Sequence, residues 1–549
     1  MIRSAARLCI AAAALCCALP LAARETQGPV VEAPAGAVRG QAVDGLHVFR
    51  GIRYAEAPVG QLRWKPPVPA RRWDGVRDAT RFGASCHQPP SRPGSLYAPA
   101  EMPAMSEDCL FLNVWAPQDA RDAPVFVWIH GGALSGGTSS DPMYDGAALA
   151  RQGLVVVSIN YRLGVLGYLA HPDLSRESPE GVSGNYGLLD QIEALRWVQR
   201  NIAAFGGDPG NVTIAGESAG ALSVMYLMAS PQARGLFHRA IAQSAYMITM
   251  PALRETVHGT PSAEQTGLEL SRRLGVRGLA RLRAMDPQEL TIKAALAAYM
   301  PLGNVDGKVL PAQLVDVFDR GQQAPVPILA GFNEGEIRSL RFLLPPPPAD
   351  AATYEAEIRA RYGSLAEAML ARYPSTDLDA AMLATTRDAM YGWTAERLVR
   401  AQTALGQPSY LYFWNHGYPA MDQSGLHAFH ASEIPYVMGT RAGTPPAWPK
   451  VPDTTADNAM ARATREYWAS FARDGRPAAA GQPAWPAYGE ARAYMAFAGT
   501  PQPGEHLMPG MFELVETVVC RRRAQGDQPW HWNVGVIAPV LPEGVAGCP

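Results

Sequence analysis

Gly216-Glu217-Ser218-Ala219-Gly220 is the stretch that most limits what this chain can fold into. Residues 211–215 before it read as a strand, and residues 219–228 after it as a helix. A strand that turns into a helix over so few residues needs small neighbours, because side chains at positions 216 and 220 would strike adjacent backbone. The turn then holds the serine hydroxyl clear of a sheet edge, near the positive end of the following helix. Ser218 is therefore a candidate nucleophile, and the chain around it must alternate strands with helices.

That alternation is visible on both sides. Residues 125–129 and 155–159 are short, apolar and β-branched, as strands buried on both faces are. Leu188, Leu189, Ile192, Leu195, Val198 and Ile202 recur at helical spacing and predict an amphipathic helix over 186–205. Further strands are expected at 240–243, 327–331 and 410–414, and a long helix at 458–473. The pattern predicts an α/β fold around a mostly parallel sheet. Residues 253–314 and 340–405 are rich in helix formers and read as insertions over the sheet's top edge. Four consecutive prolines, 345–348, can only be extended spacer.

A serine hydroxyl needs a base to remove its proton, and the base needs a third group to orient it. In elbow-type hydrolases the order along the chain is serine, acid, histidine. Seven histidines follow Ser218, and two, His427 and His430, fall just after the expected strand 410–414. The acid belongs just after the preceding core strand, where Glu334 and Glu336 both qualify. His130-Gly131-Gly132-Ala133 follows the strand 125–129 and is small enough for backbone N–H groups to approach a tetrahedral oxyanion.

Arg3 and Arg7, an apolar run to Leu19, then Ala22 and Ala23 have the layout of an exported protein's leader, expected to span 1–23 and leave 24–549 as the mature enzyme. Of seven cysteines, four lie beyond it: Cys86, Cys109, Cys520 and Cys548. Three pairings are possible in an oxidising compartment, and the sequence-local one joins Cys86 to Cys109 and Cys520 to Cys548. Nothing has zinc-ligand spacing, so no metal is expected, and the formal net charge of -2 gives no reason to expect nucleic acid. No later stretch is long and apolar enough for stable membrane insertion.

Beyond the elbow, the chain carries Phe49-Arg50-Gly51-Ile52, Ala57-Pro58-Val59-Gly60, the run Ser106 to Trp115 and Phe205-Gly206-Gly207-Asp208-Pro209. With these it resembles the type-B carboxylesterases, the family of the cholinesterases and para-nitrobenzyl esterases, over nearly all of the mature chain. The resemblance implies an α/β-hydrolase fold, ester hydrolysis without a cofactor, and a small-molecule ester as partner. It implies a triad of Ser218, His430 and Glu334, the last chosen through Asn333-Glu334-Gly335. Oxyanion donors would be the N–H groups of Gly132, Ala133 and Ala219. Glu217 would be the buried acid beside the nucleophile and Ser244 a serine behind the triad. The family's first disulfide corresponds to Cys86–Cys109. Two ion pairs are expected to brace the core, Arg63 with Glu107 and Arg162 with Asp190.

Departures narrow the substrate. The segment Tyr97-Ala98-Pro99-Ala100 lacks the tryptophan by which cholinesterases hold a quaternary ammonium. The resemblance to bacterial fumonisin-type esterases points to a bulky or acid-bearing ester, with Arg338 and Arg341 as candidate contacts. A non-catalytic binding protein of the neuroligin kind and a lipase on aggregated lipid are the alternatives.

Overall fold

The apolar runs become inner strands of one eleven-stranded sheet in the computed structural model, which describes residues 28–92, 94–531 and 535–548. The expected leader lies outside the described residues. In chain order the strands are β1 (Gln41–Val43), β2 (Leu46–Arg53), β3 (Phe111–Pro117), β4 (Ala123–Ile129), β5 (Val155–Ile159) and β6 (Gly207–Glu217). They continue with β7 (Arg239–Gln243), β8 (Ile328–Asn333), β9 (Ser409–Trp414), β10 (Ala493–Phe497) and β11 (Pro501–Glu505). Across the sheet the order is β11-β10-β9-β8-β7-β6-β4-β5-β3-β2-β1. The strands from β10 to β5 in that order run parallel, and both edges are antiparallel.

Strand side chains alternate between faces, and the two faces build two separate cores. Val125, Val127, Ile129, Ile214, Ala240 and Ile328 join one cluster, which also takes in the helix Ala219–Ala229. Phe126, Trp128, Ala215, Ile241 and Leu329 join the other, with Trp468 and Phe471 of the helix Thr455–Asp474. Helices therefore cover both faces, which is why the central strands read as unbroken apolar runs. The predicted helix over 186–205 is present as an α-helix, Tyr186–Asn201, finished by a 3₁₀ turn, Ile202–Phe205. Strands β1 to β3 and a small separate sheet (Val30–Ala33, Gly36–Arg39, Val76–Asp78) had no strong signature. β1 and the strands of the small sheet are only three or four residues long and leave little periodic pattern. β2 and β3 are longer and have no exposed residue, but polar Arg50 and Asn113 interrupt their apolar runs.

The two helical insertions have apolar clusters of their own. Leu270, Leu279, Leu282 and Leu290 pack with Trp64 and Leu166. Tyr354, Ile358 and Tyr362 pack with Val518 and Leu541 from the C-terminal region. Disulfides join Cys86 to Cys109 and Cys520 to Cys548, as the sequence-local pairing predicts. Both expected braces form. Arg63 donates from Nε and Nη2 to the two Glu107 oxygens at 2.6 Å each. Arg162 donates from Nε and Nη2 to Asp190 at 2.7 Å each, with both side chains buried. Among the described residues, no helix is long and apolar enough to cross a membrane, and no group of three or more His, Cys, Asp or Glu could hold a metal ion.

Candidate active site

The parallel strands deliver their C-terminal ends to one edge, where α/β sheets bind ligands. Strand β6 ends in the elbow. Ser218 has φ 56° and ψ -121°, a conformation an L-residue holds only when its surroundings force it. Its N–H donates to the Gln243 carbonyl at the end of β7 (2.9 Å), and its carbonyl accepts from Leu222 (2.9 Å) to start the next helix. The hydroxyl caps nothing in that helix and so is not consumed by structure. A methyl group on Gly216 would lie 2.5 Å from the Gly220 carbonyl carbon, and one on Gly220 would collide with the Ile129 carbonyl oxygen. Both flanking glycines are therefore required, as the motif predicts.

His430 stands between two carboxylates. Its Nδ1 hydrogen-bonds Glu336 Oε2, and its Nε2 lies 3.0 Å from Glu217 Oε1, facing the elbow. All three side chains are buried. Glu336, and not the Glu334 expected from the sequence, is the carboxylate at His430 Nδ1. Glu334 instead faces Arg338 (3.7 Å) and Arg387 (3.8 Å) and is about a quarter exposed. The cause is the turn after β8. The Asn333 N–H donates to Glu336 Oε1 (2.8 Å), folding the carboxylate back under the strand end and toward His430. The Glu334 and Gly335 N–H groups go to the Trp414 and Ala428 carbonyls (2.8 Å each), which turns Glu334 outward.

A third buried acid, Glu433, was not singled out from the sequence. It accepts from Gln243 Nε2 (2.8 Å) and Asn333 Nδ2 (2.7 Å). Trp468 Nε1 holds the other end of the Gln243 amide (3.0 Å). Glu433 thus ties the strand end below Ser218 to the turn that carries Glu336. Its place three residues after His430 was the only available signal.

Electrostatics follow from burial. Burial pushes Glu217 up to about 8, against the pull of His430, and Glu433 and Glu336 add to the rise. Burial also raises Glu433, which the amides of Asn333 and Gln243 partly offset. For His430 burial disfavours the charged ring, but the carboxylates of Glu217, Glu336 and Glu433 outweigh it and push it up to about 9. Two tyrosines flank the ring, Tyr391 at 5.3 Å and Tyr97 at 6.4 Å. Tyr391 comes from the second insertion, on a π-helical turn, Asp388–Gly392, of the kind often found at functional sites.

The turn after β4 lies against the elbow: a methyl on Gly131 would come within 3.2 Å of Ser218 Cβ. Gly132, Ala133 and Leu134 all have positive φ, at 103°, 53° and 56°. The N–H groups of Gly132, Ala133 and Ala219 make no hydrogen bond within the protein among the described residues, so each is free to donate to an incoming oxygen. His130 anchors the turn. Its ring stacks on Tyr161 at 4.6 Å and its carbonyl accepts from the Tyr161 hydroxyl (2.8 Å). Burial lowers His130 to about 4, so it is neutral and structural. Gly132 and Ala133 are exposed, and Ser218 is half-buried.

Ser244, buried at the end of β7, has φ 50° and donates its N–H to the Gly331 carbonyl (2.9 Å). Arg341 is bound to Asp379 on the surface, so its charge is already matched. Arg338 faces Glu334 and donates to the Gly425 carbonyl (3.4 Å). His427 pairs with Asp422 (2.7 Å) and Asn415 (2.8 Å).

The carboxylesterase family model matches residues 27–508. The fumonisin B1 esterase of Sphingopyxis macrogoltabida is 37% identical over 510 residues, covering 89% of this chain and 90% of that protein. The para-nitrobenzyl esterase of Bacillus subtilis (strain 168) is 35% identical over 471 residues, covering 84% and 93%. Among solved structures, a PNB esterase superposes with a TM-score of 0.77 at 33% identity, covering 88% of this chain and 99% of its own. A carboxylesterase of Geobacillus stearothermophilus gives 0.71 at 34% identity, covering 90% and 99%.

Proposed function

The chain belongs to the carboxylesterase family, with the α/β-hydrolase fold and the ester-hydrolysing chemistry of a serine carboxylesterase, and on that premise we propose a triad of Ser218, His430 and Glu336. The observation that carries the triad is His430, held at Nδ1 by Glu336 with Nε2 turned to the elbow. Nδ1 is held by Glu336, so Nε2, which lies 3.0 Å from Glu217 Oε1 beside the nucleophile, is the nitrogen that would take the Ser218 proton. Ser218 Oγ then bonds the ester carbonyl carbon. The oxygen, now negative, accepts from the N–H groups of Gly132, Ala133 and Ala219, each such donor being worth about 2.7–4 kcal/mol in the transition state. The imidazolium gives its proton to the leaving alcohol, and the acyl group stays on Ser218. Water repeats the sequence and releases the acid. Glu336 orients the ring throughout and stabilises its charge.

The exposed Gly132 and Ala133 support a bulky ester, because the oxyanion turn is open to solvent. Of the two arginines considered for an acid-bearing ester, only Arg338 keeps a partly unmatched charge, 3.7 Å from Glu334. Equal preference for neutral and anionic esters before and after Arg338→Ala removes it as a contact. Two disulfides support export, which N-terminal sequencing of the secreted protein would check. The triad is tested with para-nitrophenyl acetate and butyrate. Turnover that falls by about 10⁶ in Ser218→Ala is expected. Equal turnover in the variant contradicts it.

A further inference from the structure

Building on the triad reading above, we propose that the loop closed by Cys86–Cys109 is a two-point clamp on the catalytic groups, with Gln88 and Tyr97 as positioning residues. The loop has little regular structure of its own. Its neck is fixed by the disulfide and by Ser85, whose N–H donates to Ala104 (3.1 Å) and whose carbonyl accepts from Ser106 (2.9 Å). From that neck it reaches the site at two places.

Gln88 makes the first contact. Its buried amide pairs reciprocally with the peptide of Gly137, accepting from the N–H at 2.9 Å and donating to the carbonyl at 3.0 Å. Gly137 has φ 107° and packs so closely on the oxyanion turn that a methyl there would lie 2.7 Å from the Gly131 carbonyl oxygen. Fixing this peptide fixes the turn whose N–H groups face the reacting oxygen. Its outer side is held too: the Gln88 carbonyl accepts from Gln288 Nε2 (3.0 Å).

Tyr97 makes the second. Its hydroxyl lies 2.7 Å from Ser339 Oγ and 3.2 Å from the His430 carbonyl oxygen, and bridges them by accepting from the Ser339 hydroxyl while donating to the carbonyl. Ser339 directly follows the 3₁₀ turn Glu336–Arg338 that carries the triad acid. One phenol therefore bridges the backbone of the base and the turn of the acid. Trp448 supports the Tyr97 ring edge-on at 6.0 Å. The two contacts act on different parts of the reaction, the oxyanion on one side and the proton relay on the other. They should separate in experiment.

Tyr97→Phe keeps the ring and deletes the hydroxyl; Gln88→Met keeps the length and deletes the amide. With para-nitrophenyl butyrate each should lower kcat about tenfold with KM within about twofold, a transition-state loss of about the net worth of one buried hydrogen bond although each variant deletes at least two. In Tyr97→Phe the acid limb of the kcat/KM profile should also move, because the group it reports is His430. In Gln88→Met the limb should stay, while an aryl boronic acid, which mimics the tetrahedral intermediate, binds more weakly by a similar factor. Wild-type kcat and pH profile in Tyr97→Phe, or wild-type kcat and boronate binding in Gln88→Met, overturns the clamp. A fall in Tm alone also overturns it. Absence of turnover in the unaltered enzyme would strike the triad reading itself and is thereby told apart.

Discussion

The elbow at Ser218 and the turn at Glu336 stand at the same edge of one sheet, separated by a single strand, yet they are specified in different ways. The elbow is written locally. Gly216 and Gly220 are required because backbone atoms of Gly220 and Ile129 occupy the space a side chain would need. Five residues therefore fix the position of Ser218. The acid turn is written from a distance. Trp414 and Ala428 take the N–H groups of Glu334 and Gly335, and Glu433 and Phe429 take the Asn333 amide. These partners come from β9 and from the loop beyond it. Two glutamates of equal chemical character therefore part ways through one local bond, from the Asn333 N–H to Glu336, and through carbonyls of Trp414 and Ala428 that are remote in the chain.

This contrast can be broken at either end. The largest effect is expected from Gly220→Ala, whose methyl would meet the Ile129 carbonyl inside the sheet edge. We expect more than about 4 kcal/mol of lost stability, read as a collapse of soluble folded protein or of the urea midpoint. Retained stability would mean that the elbow is not locally determined. Next is Asn333→Ala, which strips a hydrogen bond from buried Glu433 and from the Phe429 carbonyl. It should cost about 1–3 kcal/mol and lower kcat, because the acid turn loses its distant anchor. Unchanged stability and kcat would show that the turn holds itself.

The smallest and most specific effect is on pH dependence. The Glu217 carboxylate is among the charges that raise His430, so Glu217→Gln should lower the pKa of the ring. The base must be neutral to accept the Ser218 proton. Lowering its pKa therefore moves the acid limb of kcat/KM to lower pH. A limb that moves to higher pH, or not at all, would show that Glu217 does not act on the base.

The same contrast explains what the sequence disclosed. Central strands buried on both faces, the amphipathic helix over Tyr186–Asn201, both core braces and both disulfides were legible from patterns along the chain and from the family resemblance. Ser218 and the turn at Gly132 were legible because steric need leaves a glycine signature. Glu336 was in view as a rival to Glu334, and the Asn333-Glu334-Gly335 match favoured Glu334, whereas Glu336 is the carboxylate that meets His430 Nδ1. What decides between them is the Asn333 N–H, which reaches three residues ahead to Glu336 and shows in no pattern. Glu433, Gln88 and Tyr97 were silent for a related reason. Each acts by meeting a residue remote in the chain: Gln243, Gly137 or His430.

In the proposed triad His430 is served by Glu336 and not by Glu334. Measuring kcat/KM for Glu336→Gln and Glu334→Gln side by side, on one para-nitrophenyl ester, tests it most directly. Glu336→Gln keeps the shape but loses the charge at Nδ1, and should fall by on the order of 10⁴, as loss of a triad acid does. Glu334→Gln, which changes only the pairing with Arg338 and Arg387, should stay within about threefold of the unaltered enzyme. The reverse order, a large fall at Glu334 and near-normal turnover at Glu336, would contradict the account.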